Sequence, residues 1–99
     1  MMIKTNQTRE IIRSTAFKRS IKKLLKSGIE FKYNLDNIIN LLINNKDIPR
    51  QYMDHQLADC KDFKNCRELH VKPDLLLIYR LTNDSVELLE LGSHAELFE

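Results

Sequence analysis

Three histidines, His55, His70 and His94, are the side chains of this 99-residue chain best suited to chemistry at neutral pH. Imidazole titrates at about pH 6.5, so one ring can take a proton while another gives one. None of the three falls in an apolar helical stripe. His55 lies in the polar stretch Asp54-His55-Gln56-Leu57, His70 precedes Lys72-Pro73-Asp74, and His94 follows Gly92. All sit in or beside expected loops, where a rigid scaffold presents functional groups. With Asp74 to orient one ring, such a set suffices to cleave RNA. One group takes the 2′-hydroxyl proton, another protonates the leaving 5′-oxygen, and cations steady the phosphorane charge. Spacing alone leaves open a plainer reading, three surface or capping histidines.

Other chemistries are poorly supplied. Cys60, Cys66 and His70 form a Cys-x5-Cys-x3-His pattern, which does not match a common structural zinc spacing, so no metal site is expected and Cys66 reads equally well as a core residue. There is no GxSxG elbow, P-loop or GxGxxG, and with two glycines no phosphate-cradling loop, so no cofactor is expected. Two cysteines are too few for a disulfide scaffold, which points to a reducing cytoplasm. No apolar run approaches the ~18 residues of a membrane span. The start, MMIKTNQTREIIR, lacks the apolar region of a secretory signal.

The elements that must position these residues fit one domain over residues 1–99. Arg9–Arg13, with Ile11 and Ile12, reads as a short strand. Ser14 or Thr15 caps a helix over Thr15–Ser27, with Phe17, Ile21, Leu24 and Leu25 as its apolar stripe and Gly28 as its left-handed end. Asn34 is expected to cap a second helix carrying Leu35, Ile38, Ile39, Leu42 and Ile43, ended by Asn44-Asn45 and Pro49. Residues 46–65 read as a long connection with short extended pieces. Three strands follow, over Cys66–Val71, Leu75–Tyr79 and Val86–Leu91, with turns at Lys72-Pro73-Asp74 and Thr82–Ser85. Gly92 breaks the last strand, and Ser93 caps a final helical turn. The order β-α-α-β-β-β predicts an α+β fold, with a helical hairpin packed on one face of a small, mostly antiparallel sheet.

Charge is unevenly spread. Residues 1–50 hold 11 basic and 4 acidic side chains, residues 51–99 hold 5 and 10. Lys18, Arg19, Lys22, Lys23 and Lys26 crowd the polar face of the first helix. A basic block of this kind suits a polyanionic partner or an acidic protein, and is otherwise a solvated face.

The C-terminal third carries a resemblance. His70-Val71-Lys72-Pro73-Asp74, Leu77-Ile78-Tyr79-Arg80-Leu81 and Gly92-Ser93-His94-Ala95-Glu96-Leu97-Phe98 resemble the YafQ branch of the RelE/ParE toxin superfamily. The likeness extends upstream through Leu41-Leu42-Ile43-Asn44-Asn45 and Asp54-His55-Gln56-Leu57, and so covers nearly the whole chain in order. It implies a RelE-like fold and a type II toxin that cleaves mRNA in the ribosomal A site. It also implies a cognate antitoxin of the DinJ kind as hetero-oligomeric partner. The family's active-site positions fall on His55, His70, Asp74 and His94, with Phe98 closing the site against a base. Two positions depart. Leu75 stands where the branch often has Trp, so a base-stacking ring is missing. Glu90 stands where it typically has Arg, and a carboxylate opposes a phosphate.

Either another cation then serves the phosphate, with Arg67, Lys72 and Arg80 the candidates, or the activity is weak or altered. Strict alternation puts Val86, Leu88 and Glu90 on one strand face, with Arg80 as the expected cross-strand partner of Glu90. The basic face of the first helix is expected to track ribosomal RNA through its phosphates. The alternative is a non-cleaving RelE-fold module that only engages antitoxin or ribosome.

Overall fold

A sequence rule fixes where the first helix begins. In the computed structural model, which describes residues 8–57 and 65–98, Ser14 is extended, and its Oγ accepts the Phe17 N–H at 2.9 Å. That satisfies one of the N–H groups a helix start leaves without a partner. Helix α1 then runs Thr15–Ser27 and stops at Gly28, whose φ of 83° is left-handed. Both ends lie where capping chemistry predicts.

Strand β1, Glu10–Arg13, precedes α1. Helix α2 spans Lys32–Ile43 and begins two residues before the expected cap. Phe31 occupies the cap position without a capping side chain, and burial of its ring sets the start instead. Asn34 lies inside the helix, where its Nδ2 donates to the Val71 carbonyl at 3.1 Å. The connection after α2 is more ordered than periodicity suggested. A 3-10 turn at Arg50–Tyr52 is closed by Tyr52 and Met53 N–H groups, and a two-residue strand β2, His55–Gln56, follows it. Residues 58–64, including Cys60, lie outside the described residues. Strands β3 (Arg67–Lys72), β4 (Leu75–Leu81) and β5 (Ser85–Gly92) make an antiparallel meander, and helix α3 covers His94–Phe98.

The sheet order is β1-β5-β4-β3-β2. The first strand lies parallel to β5 and every other pairing is antiparallel. Helices α1 and α2 cover one face. Phe17, Phe31, Leu35, Ile38 and Leu42 pack there against Leu69, Val71, Leu75, Leu77, Tyr79, Val86, Leu88 and Leu91. The opposite face carries a smaller cluster, Cys66, Ile78 and Leu89, with Leu57 and Leu97 against it. Among the described residues, no helix is long and apolar enough to cross a membrane.

Two bulges break strict alternation. Between His70 and Lys72 the register with β4 shifts, leaving Val71 as the extra residue. Between Glu90 and Leu88 it shifts again, leaving Leu89 extra. Each bulge lends a carbonyl to a helix. Asn34 takes that of Val71, and the Ser14 hydroxyl takes that of Leu89. The second bulge corrects the expected facing of Glu90. It stands opposite Ile78, on the face away from α1 and α2, whereas Val86 and Leu88 face the helices.

Ser14 thus joins helix start, bulge and sheet in one side chain. Ser14→Ala removes the cap and leaves the Leu89 carbonyl without its donor. We expect a stability loss of about 1–2 kcal/mol, read as a fall in Tm by thermal unfolding. An unchanged Tm would contradict this role.

Candidate active site

The histidines and carboxylates of the candidate site come from four places, β2, β3, the β3–β4 turn and α3. On β3, Glu68 and His70 are two apart and share a face, as period-two geometry requires. On β2, His55 stands directly opposite Glu68. Asp74 lies in the Pro73-Asp74 turn between β3 and β4, and His94 opens α3.

These side chains meet. The His70 and His94 rings are edge to face, with centroids 5.8 Å apart. His94 Nδ1 lies 2.8 Å from Asp74 Oδ1, and the His94 backbone N–H donates to the same oxygen at 3.1 Å. These bonds, with the backbone donor first, hold the Asp74 carboxyl below its ordinary value. An ionised Asp74 fixes a proton on Nδ1 of His94 and leaves Nε2 as the nitrogen open to substrate. The Phe98 ring is 6.4 Å from His94 and half-exposed.

Glu68 joins the remaining two histidines, and sequence reasoning had not singled it out. Its buried carboxylate lies 3.4 Å from His55 Nε2 and 4.0 Å from His70 Nε2. His55 Nδ1 sits 2.9 Å from the Met53 carbonyl, which can only accept. The close approach of Nε2 to Glu68 is therefore attractive when a proton lies between them. A buried carboxylate needs such partners to offset its desolvation. The signal was available, since Glu68 is two residues from His70 in a strand.

The terminal motif owes its spacing to α3. Ser93 and Glu96 form a capping box, with Ser93 N–H donating to Glu96 Oε1 at 2.9 Å and Glu96 N–H to Ser93 Oγ at 3.2 Å. Gly92 is the last residue of β5, buried, one residue beyond the expected end of that strand. A Cβ added there would lie 2.9 Å from Glu96 Oε1 and 3.3 Å from Leu97 Cδ2. Glycine is what lets α3 turn onto the strand. His94 and Phe98, one turn apart, then share a side of α3 while Leu97 is anchored in the smaller cluster.

The three expected phosphate cations are not brought together. Arg67 stands opposite Tyr79, a helix-side core residue, and pairs with Asp54 at 2.9 Å. The adjacent carboxylate raises its pKa further above an already high value. Lys72 stands opposite Leu75 and lines a cleft with Ile29, Phe31 and Tyr33, beside the α1–α2 connection. Arg80 is on the histidine face, but its carboxylate partner is Glu87, directly opposite, at 2.6 Å, and not Glu90 as expected. Leu75 is buried in the helix-side core, so it does not occupy a base-stacking position on the histidine face. On α1, Lys18, Arg19, Lys22 and Lys26 are exposed, whereas Lys23 reaches Glu96 of α3 at 2.8 Å. Among the described residues no group of three His, Cys, Asp or Glu side chains is arranged to hold a metal.

Comparison with known proteins identifies the family. A family model described as the bacterial toxin of type II toxin–antitoxin systems, YafQ, matches residues 9–99. The mRNA interferase toxin YafQ of Escherichia coli strain B / BL21-DE3 is 36% identical over 91 residues, covering 91% of this chain and 96% of that protein. In the crystal structure of the E. coli DinJ–YafQ complex, the matching chain has a TM-score of 0.81 at 36% identity, over 92% of this chain and 99% of that one. A copper-bound mutant toxin from Helicobacter pylori gives 0.82 at 34% identity, over 91% and 99%. Family model, sequence identity and overall structural likeness agree, and the chain belongs to the YafQ family of type II toxin–antitoxin toxins.

Proposed function

We propose that this protein is an endoribonuclease that cleaves mRNA on the ribosome, with His70 and His94 as the acid–base pair. The observation that carries this reading is the edge-to-face contact of the two rings at 5.8 Å beside the ionised Asp74. Two imidazoles within one phosphodiester's reach let one deprotonate the 2′-hydroxyl while the other protonates the departing 5′-oxygen. Asp74 sets the tautomer of His94, and Glu68 lies between His70 and His55. Phe98 offers an exposed ring for a base.

Of the three expected cations only Arg80 shares the histidine face, and Glu87 already neutralises it. The positive charge opposite the phosphorane is therefore assigned to imidazolium. The exposed Lys18, Arg19, Lys22 and Lys26 suit the phosphates of ribosomal RNA. A DinJ-like antitoxin is the proposed inhibitor, supported by the DinJ-bound state of a similar chain.

His70→Ala and His94→Ala are each expected to slow cleavage of a defined mRNA by roughly 10²–10⁴-fold, the scale of a lost acid or base. Primer extension in a reconstituted translation reaction measures it, and circular dichroism checks the fold. Full activity in a folded His94→Ala protein would remove the histidine mechanism. Intact mRNA on ribosomes that the unaltered protein binds tightly would favour a binding module.

Acid should undo the Asp74–His94 contact late. A depressed carboxyl pKa means the contact is complete above the unfolded-state value, at about pH 4, and lost as pH falls through the still lower folded value. The Asp74 side-chain carboxyl carbon resonance should keep its ionised position down to about pH 4 and complete its change only below it. Movement that is complete above that point would contradict the pairing.

A further inference from the structure

Two dipeptides lie side by side at one end of the sheet, Asp54-His55 leading into β2 and Arg67-Glu68 opening β3. Register pairs His55 with Glu68. Adjacent residues of an extended chain face opposite sides, so a histidine–carboxylate pair occupies one face and an aspartate–arginine pair the other. The second pair is closely made. Asp54 accepts from Arg67 Nε at 3.3 Å and Nη2 at 2.9 Å, and also from the Tyr79 hydroxyl. Its side chain is 18% exposed. Burial, and then the hydrogen bond to Asp54, push the Tyr79 hydroxyl far above its ordinary pKa, which keeps it a donor.

None of these three side chains lies on the histidine face, and the other anchor of β2 comes after His55, where the Leu57 N–H donates to the Cys66 carbonyl at 3.0 Å and its side chain packs on the smaller cluster. The strand is two residues long with two register pairs. It follows Met53, which is in the left-handed region at φ 54°. A strand edge so short does not by itself fix the rotation of the chain about its axis. We propose that Asp54, Arg67 and Tyr79 are positioning residues for His55, clamping the preceding residue to the back of the sheet so that the imidazole is turned toward Glu68 on the front. This rests on the reading of His55 as part of the active site. It also gives Arg67 a role different from the phosphate contact its charge suggests, since the sheet stands between Arg67 and the histidines.

The test is a double-mutant cycle on mRNA cleavage in a reconstituted translation reaction, using the full chain. It compares Arg67→Gln, Tyr79→Phe, His55→Ala and the two doubles carrying His55→Ala. A misaimed group costs on the order of 10²-fold, so Arg67→Gln should slow turnover by about that factor with KM little changed. Tyr79→Phe, which removes one hydrogen bond to a charged group, should slow it about tenfold. Neither change should slow cleavage further when His55 is already alanine. Equal slowing in both backgrounds, as a direct phosphate contact or general destabilisation would give, overturns the inference. So does full activity of Arg67→Gln and Tyr79→Phe beside a slow His55→Ala protein. If His55→Ala is itself as fast as the parent, the catalytic reading of His55 falls, and the clamp has nothing to position. Should Arg67→Gln fail to fold, Tyr79→Phe keeps the ring and decides the outcome alone.

Discussion

A regular strand cannot place two neighbouring side chains on the same side, and this sheet has one side roofed by the two long helices. Once α1 and α2 claim Leu69, Val71, Leu77, Tyr79 and Leu88, the intervening residues must emerge on the other side. Part of that second side is closed by the small cluster around Cys66, Ile78 and Leu89, with Leu97 of α3 against it. The rest stays open enough to hold His70 at the margin of solvent beside the buried Glu68. The candidate site is what remains when a three-stranded meander is covered well on one face and sparingly on the other.

The bulges refine that plan. An extra residue frees a carbonyl from the ladder and reverses alternation beyond it. Both freed carbonyls are taken by polar side chains at or near helix starts, Ser14 and Asn34, so neither bulge leaves a buried acceptor unmet. The price is strand regularity. Lys72 turns toward the α1–α2 connection and Glu90 toward the histidine face.

Much of this was legible in the residues. Helix α1 agrees at both ends because a serine cap and a left-handed glycine are local signals. Helix α2 begins earlier than Asn34 because burial of Phe31 outweighs capping propensity. The short β2 has no periodicity to detect, and its place depends on pairing with β3. Alternation could have placed Arg67 with Leu69 and Val71 on the helix side, and Glu68 with His70 on the other. Its positive charge drew Arg67 toward the phosphate instead. Bulges carry no comparable sequence mark here, so the facing of Glu90 and Lys72 was beyond reach.

The parallel pairing of β1 with β5 has a consequence for how the molecule comes into being. Glu10 meets Ser85 and Arg13 meets Leu88, so the first strand waits for partners some seventy-five residues later. Contacts so distant in sequence are slow to form and are absent from a chain still being made. On an elongating ribosome the early half has two amphipathic helices and an unpaired strand but no sheet to lie on. His94 lies two residues beyond the end of β5, so the histidine cluster cannot assemble before β5 is made. Closure of the sheet by β1 and β5 and assembly of the cluster around His94 are therefore coupled, late events in folding.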